Sequence, residues 1–252
     1  MSNETQVRGR VALVTGANRG IGKAIVEALL ARGVAKVYAG ARNPETLAAV
    51  VASSGGRVVP LRLDVTDGGQ VQEAAAAAGD VDLLINNAGV AAHAFAAFED
   101  PAWLDAGRCE YETNALGTLR VTQAFAPGLA ARDGGTVVNV VSVAAFANFP
   151  ALLGYAASKA AQHSITQGMR AMLAGQGIRV VGVYPGPVDT DMAEKMPIEK
   201  VSAASVATAI LDGLEAGEED ILPDPYAVDE GAVYAASPKT LERNRSSQVL
   251  AA

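Results

Sequence analysis

The chain has a single cysteine, Cys109, and two histidines, His93 and His163. One thiol excludes an internal disulfide and a CxxC redox pair, and so few thiol and imidazole groups leave no basis for a resident metal. Aromatic residues make up 5% of 252 positions, with one tryptophan. Positive charge is in deficit: 20 Lys and Arg against 27 Asp and Glu leave a net charge of −7. That balance argues against a general nucleic-acid binder. No run of about 18 uncharged apolar residues occurs, so no membrane span is predicted. The polar stretch 1–10 lacks the apolar core of a secretory signal. A soluble cytoplasmic protein in a reducing compartment is the resulting expectation.

What is present is apolar material. Half of the residues are hydrophobic and 19% are charged, which suits a folded core and not a disordered chain. Strand-like runs occur at 11–15, 36–40, 57–63, 81–85, 136–141 and 179–184. The last three are nearly continuous in apolar residues, as for strands covered on both faces. Helical stretches lie between them at 21–32, 44–52, 71–78, 116–132 and 155–176. Asn43 followed by Pro44 is a helix start. This alternation predicts an α/β protein: one Rossmann-type domain with a doubly wound parallel sheet flanked by helices on both faces. From about residue 224 the pattern weakens, and an irregular C-terminal extension is expected.

The first strand runs straight into Thr15-Gly16-Ala17-Asn18-Arg19-Gly20-Ile21-Gly22 and then a helix. Glycine lets the backbone turn tightly and approach a pyrophosphate, whose charge a helix N-terminus favours. The other interpretation is a plain glycine-rich turn. At the end of the second strand, where an acid would bond a ribose 2′-hydroxyl, the residues are Ala39-Gly40-Ala41-Arg42. Arg42 and Arg19 are both placed to meet a 2′-phosphate, a match for the guanidinium fork. NADP(H) is therefore expected over NAD(H), although either arginine alone is equally a solvated surface charge. Asp64 and Val65, after the third strand, are candidate adenine contacts, with Asp64 also a helix-start residue. Asn86-Asn87-Ala88-Gly89 ends the fourth strand, where backbone meets a dinucleotide; it also reads as a turn.

Tyr155 and Lys159 stand four apart on one helix and share a face. A nearby ammonium favours phenolate and would draw the tyrosine down from its usual value of about 10. Such a group can exchange a proton with a carbonyl or alcohol. The same spacing arises by accident on exposed helices. Ser142 ends the fifth strand, where a hydroxyl can orient a substrate oxygen or cap a turn. Asn114 precedes the 116–132 helix, where it can equally be an N-cap.

Together these residues resemble the short-chain dehydrogenase/reductase family. Thr15–Gly22 is similar to its TGxxxGxG loop, Asn86–Gly89 to its NNAG, and Ser142, Tyr155 and Lys159 to its Ser and YxxxK motifs. Asn114 matches the fourth catalytic position, and Pro185-Gly186-Pro187-Val188-Asp189-Thr190 the stretch beside the nicotinamide. The resemblance covers about residues 10–190. It implies that Tyr155 gives or takes the proton and that Lys159 tunes it and bonds the nicotinamide ribose. Ser142 would hold the substrate oxygen, Asn114 would anchor a relay water, and Val188 and Thr190 would fix the carboxamide. The remaining contacts to the cofactor fall to Gly16, Asn18, Arg19, Gly20, Ile21, Gly22, Asn87, Ala88, Gly89, Pro185 and Gly186.

Two departures from the family matter. The acid of its NAD-preferring members is absent. Residues 219–225 do not resemble its glycine-rich ending, which in many relatives helps build a tetramer. A homodimer through 116–132 and 155–176 is therefore as good an expectation as a homotetramer. Segments 91–103, 144–153 and 192–198 face the substrate, and Phe95, Phe146, Phe149, Leu152, Met192 and Met196 are expected to line an apolar pocket. Segment 191–200 is expected to act as a mobile lid. The leading expectation is NADPH-dependent reduction of a hydrophobic ketone or aldehyde. NAD-dependent oxidation of a secondary alcohol, and a non-catalytic dinucleotide sensor or scaffold, are the alternatives.

Overall fold

The computed structural model describes residues 5–132, 134–194, 196 and 198–250. The six predicted strands form as β1 (Val11–Thr15), β2 (Lys36–Ala41), β3 (Val58–Arg62), β4 (Leu83–Asn86), β5 (Thr136–Val140) and β6 (Arg179–Val183). Two short strands, β7 (Val188–Asp189) and β8 (Val201–Ser202), pair with each other, and β9 (Asp220–Ile221) adds an edge to the main sheet. That sheet is parallel throughout, in the order β3-β2-β1-β4-β5-β6-β9. Strand order reverses between β1 and β4, and a ligand crevice opens at such a switch point, beyond the carboxyl ends of the strands.

The strands are apolar on both sides because both faces are covered. In β1, Ala12 and Val14 pack into one core and Leu13 into the other. In β4, Leu83 and Ile85 divide from Leu84 in the same way, and in β5 Val138 and Val140 divide from Val137. Side chains alternate along a strand, so each strand contributes to two cores. The first core is closed by α1 (Gly20–Ala31), by α2 (Ala48–Ser53), which continues a 3₁₀ turn at Pro44–Leu47, and later by α7 (Ala203–Glu215). The second is closed by α3 (Gly68–Ala77), α5 (Gly117–Ala130) and α6 (Leu153–Leu173). Asn43 caps the Pro44 turn by accepting from the Glu45 amide at 3.1 Å, as its sequence predicts.

Three features depart from the sequence expectation. A helix, α4 (Ala102–Glu110), precedes α5 and joins it through a π-helical turn at Tyr111–Leu116. Helix α7 lies in a stretch to which the sequence pattern assigned nothing. The tail is not irregular: α8 (Pro225–Ala236) and α9 (Pro238–Leu250) follow one another. The tail was misjudged because these helices have no broad apolar face. Along the described side chains of α9 only Leu241 and Arg245, four apart, are buried. Among the described residues no helix is long and apolar enough to cross a membrane.

Candidate active site

The loop after β1 is held by its neighbours across the switch point. Gly16 has φ of +63°, and a Cβ there would stand 3.0 Å from the Ala88 Cα. A Cβ on Gly22 would fall 2.3 Å from the Gly16 carbonyl oxygen and 2.4 Å from Asn87 Nδ2. Asn87 Nδ2 donates to the carbonyls of Thr15 and Gly16 at 2.9 and 3.2 Å, and the Thr15 hydroxyl accepts from the Asn87 and Ala88 amides, both at 3.0 Å. Gly89 approaches two candidate catalytic residues: a Cβ on it would meet Asn114 Oδ1 at 3.1 Å and Lys159 Nζ at 3.6 Å. Loops 15–22 and 86–89 thus brace one another.

Helix α1 starts at Gly20 with no side-chain cap from Arg19. Its first amides have no protein acceptor of the kind that Asp67 supplies to α3, and such an end favours an anion. Arg42 is exposed at the end of β2 and makes no hydrogen bond or ion pair among the described residues. Arg19 is otherwise engaged: its Nη1 donates to Asp191 Oδ2 at 2.9 Å across the crevice. Asn18 and Ile21 are partly buried beside it. Asp64 accepts from the amide and hydroxyl of Thr66 at 2.9 and 2.7 Å, and Val65 is buried against Gly117. These residues fit a phosphorylated dinucleotide: an uncapped helix, a cradle that any Cβ would fill, and a free guanidinium.

The candidate catalytic residues lie together at the far end of the crevice. Ser142 caps a 3₁₀ turn by accepting from the Ala144 amide at 3.1 Å, and its hydroxyl donates to the Pro185 carbonyl at 3.4 Å. Burial pushes Tyr155 up to about 12; the nearby Ser142 hydroxyl opposes this and the Glu110 carboxyl adds to it. The lowered tyrosine expected from the sequence is therefore not found. Lys159 Nζ lies 5.7 Å from the Tyr155 ring centre, and its own burial pulls it down to about 7. At neutral pH Tyr155 is a phenol, as an ordinary tyrosine also is, and the raised value makes it the weaker acid of the two.

Asn114 is not a helix cap. It sits fully buried in the π-helical turn. Its Oδ1 accepts from the Val90 amide at 2.8 Å, while Nδ2 donates to the Val90 carbonyl at 2.9 Å and to Ser158 Oγ at 2.8 Å. Both side-chain ends thus engage protein partners, with one of the two acceptor sites of Oδ1 left over. The π turn, a feature frequent at functional sites, has no residue-level signature that sequence could supply.

The predicted substrate residues divide into three groups. Phe95 and Met192 are exposed, at 56% and 49%, and Phe95 has a φ of +56° that only a few non-glycine residues adopt. Its amide donates to the Ala151 carbonyl at 2.9 Å, which joins segment 91–100 to segment 147–152. Leu152 and Met196 are partly buried. Phe146 is given to the core: its ring is stacked between Tyr184 and Tyr234 at centroid distances of 4.9 and 4.7 Å. Phe149 lies under the Arg245 guanidinium at 3.8 Å. Of the expected lid, residues 195 and 197 lie outside the described residues.

Sequence reasoning missed three residues that build this end. Asp224 caps α8 by accepting from the Ala227 amide at 2.9 Å, and its other oxygen accepts from the Gly186 amide at 2.8 Å. It thereby fixes Pro185-Gly186, beside Val188 and Thr190. The Asp-Pro pair at 224–225 was a legible helix start. Arg245, 1% exposed, pairs with Glu230 and donates to the carbonyls of Val143 and Ala147. Glu110 is also fully buried, accepts from the Ala92 amide at 2.7 Å, and lies against Gly154 beside Tyr155.

A family model for short chain dehydrogenases matches residues 10–200. The chain is 37% identical over 200 residues to a 3-oxoacyl-[acyl-carrier-protein] reductase from Thermotoga maritima, covering 76% of this chain and 79% of that one. A short chain dehydrogenase from Burkholderia cenocepacia, solved in complex with NADP, superposes with a TM-score of 0.88 at 40% identity over 96% of this chain and 99% of that one. The NADPH-bound carbonyl reductase from chicken fatty liver gives a TM-score of 0.75 at 31% identity over 82% and 92%. The ordered motifs, the seven-stranded fold and these matches agree: the chain belongs to the short-chain dehydrogenase family.

Proposed function

We propose that the protein is an NADPH-dependent reductase of a small ketone or aldehyde with an apolar body, reversible as an alcohol dehydrogenase. The observation that carries this reading is the meeting of Tyr155, Lys159 and Asn114 at one end of the crevice: Lys159 Nζ lies 5.7 Å from the Tyr155 ring centre, and both Lys159 and Asn114 face Gly89. Gly16, Gly20 and Gly22, with the amides of α1, would hold the pyrophosphate, and Arg42 the 2′-phosphate. Asn18, Asp64, Val65, Asn87, Ala88 and Gly89 would line the adenosine and ribose, and Val188 and Thr190 the nicotinamide end. A bound nicotinamide supplies the hydride. Ser142 orients the carbonyl oxygen, and Tyr155 gives it the phenolic proton as the carbonyl carbon is reduced. The Lys159 ammonium then offsets the phenolate left behind. Arg19 would leave Asp191 for the phosphate, which would make that pair a latch between the phosphate loop and the 191–200 lid. The enzyme would be a cytoplasmic homo-oligomer, with the apolar strip Leu119, Ala126, Met169, Met172 and Leu173 on α5 and α6 as its dimer face; Met172 is 79% exposed.

A second reading comes from relatives named as 3-oxoacyl-[acyl-carrier-protein] reductases, which would make the substrate a 3-oxoacyl thioester. An acidic carrier protein calls for unpaired surface cations near the site. Here Arg19, Lys23 and Arg108 each stand beside a carboxylate, while Arg42 and Lys200 make no ion pair among the described residues, so surface charge does not choose between the readings. A panel of free ketones, aldehydes and 3-oxoacyl thioesters, followed at about 340 nm with NADPH and with NADH, tests both. Turnover of free apolar ketones with NADPH supports the first reading. Turnover confined to carrier-bound thioesters, or faster with NADH, contradicts it.

A further inference from the structure

Lys159 is 3% exposed, yet no carboxylate stands against it among the described residues. A buried ammonium without a counter-charge depends on neutral acceptors to hold its place. Two are present. Lys159 Nζ donates to the Val140 carbonyl at the end of β5, at 2.9 Å, and to Gln162 Oε1 at 2.8 Å. Gln162 is wholly buried and one turn along α6, on the same face as the lysine.

The far end of this amide is also occupied. Gln162 Nε2 donates to Thr118 Oγ1 at 2.9 Å, and the Thr118 hydroxyl donates to the Asn114 carbonyl at 2.9 Å. Because the hydroxyl proton is spent on that carbonyl, Thr118 can only accept from the amide. The direction of the amide follows: nitrogen toward Thr118, oxygen toward the ammonium. The chain Lys159–Gln162–Thr118–Asn114 ties the ammonium to the π-helical turn by three hydrogen bonds, all buried.

We propose that Gln162 is a positioning residue that fixes the Lys159 ammonium beside Tyr155 and couples it to the π-helical turn carrying Asn114. The inference rests on the role of Tyr155 and Lys159 proposed above. Gln162 itself touches no reacting atom. Its neutral oxygen anchors the ammonium without the strong bias toward the charged form that a carboxylate would impose. The elements packed around Lys159 contribute few titrating groups. Tyr155 lies beside it on α6, Glu110 of α4 acts on Tyr155, and β5 and loop 86–90 present only backbone and amide groups.

The test follows Lys159 by NMR in protein labelled with 13C at lysine Cε, with the resonance assigned by its loss in Lys159→Arg. It needs neither cofactor nor substrate, so absence of turnover on every substrate, which would end the reductase reading, leaves this result intact. Gln162→Glu places a carboxylate against the ammonium and should raise the Lys159 midpoint by about one pH unit or more. Gln162→Met removes the acceptor at similar volume and should lower it. In active enzyme, the pH limb of kcat set by Lys159 should move in the same direction as the midpoint, with KM for the ketone changed less than about twofold. A Lys159 midpoint equal in wild type and both variants would overturn the proposal. If Gln162→Met does not fold, an unchanged midpoint in Gln162→Glu alone overturns it.

Discussion

Helices α1 and α8 both begin beside the crevice, but they begin differently. Arg19 gives α1 no side-chain cap, and no acidic residue lies in its first turn. Asp224 caps α8 at 2.9 Å and with its second oxygen takes the Gly186 amide. A capped start has spent its electrostatic attraction on its own chain, and α3 and α7, capped by Asp67 and Ser202, are built the same way. Helices α4 and α6 also start without a side-chain cap, but α1 follows a glycine loop at the switch point, where an uncapped start keeps that attraction for a ligand. The comparison separates a face that binds from a face that braces. The glycine loop before α1 would hold the phosphate proposed for it, while α8 and α9 tie the far wall to the chain after Ser142.

Substitutions on each side should have separable effects. The largest is expected from Gly22→Ala, whose methyl would overlap the Gly16 carbonyl and the Asn87 amide. It should weaken NADPH binding by at least about 100-fold in a fluorescence titration. Retained affinity would show that the loop is not the phosphate cradle. Arg42→Asp comes next. Loss of a charged hydrogen bond, about 1.5–3 kcal/mol, should cut the preference for NADPH over NADH by roughly 10- to 100-fold. An unchanged ratio would remove Arg42 from the cofactor site.

On the bracing side, Arg245→Ala strands Glu230 and frees segment 143–149. Breaking such a buried pair should lower stability by about 3 kcal/mol in denaturant unfolding and raise KM for the ketone severalfold. NADPH affinity should stay near wild type. An equal loss of cofactor affinity would erase the distinction between the two ends. The smallest effect is expected from Asp224→Ala, about 1 kcal/mol for a lost helix cap, read as a lower unfolding midpoint with the cofactor preference intact.

The same division explains what the sequence made legible. The six main strands could be read from apolar runs because a strand buried on both faces alternates between two cores, as Leu13 does between Ala12 and Val14. The phosphate loop could be read because its requirement is local: glycines where any Cβ would strike backbone. Tyr155, Lys159 and Ser142 were legible only as spacings, and their environment was not. Burial reversed the expected direction for the tyrosine. Asn114 gave no sign of its π-helical turn, and Arg19 none of its pairing with Asp191, 172 residues away. The tail gave no periodic signal because, along the described side chains of α9, only Leu241 and Arg245 are buried, which is too narrow a face. Phe146 was assigned to the pocket on residue type, but Tyr184 and Tyr234 from distant segments cover its faces. Wherever a feature depends on which distant residue fills a space, a single sequence carries little of it.

The account centres on Tyr155 as the group that gives its proton to a carbonyl oxygen. The direct measurement is steady-state NADPH oxidation by Tyr155→Phe on the best ketone of the panel, beside NADPH binding by the same protein. The account predicts a loss in kcat of about 100- to 10,000-fold, the usual contribution of a positioned acid, with cofactor affinity within a fewfold of wild type. Turnover near the wild-type rate would contradict it.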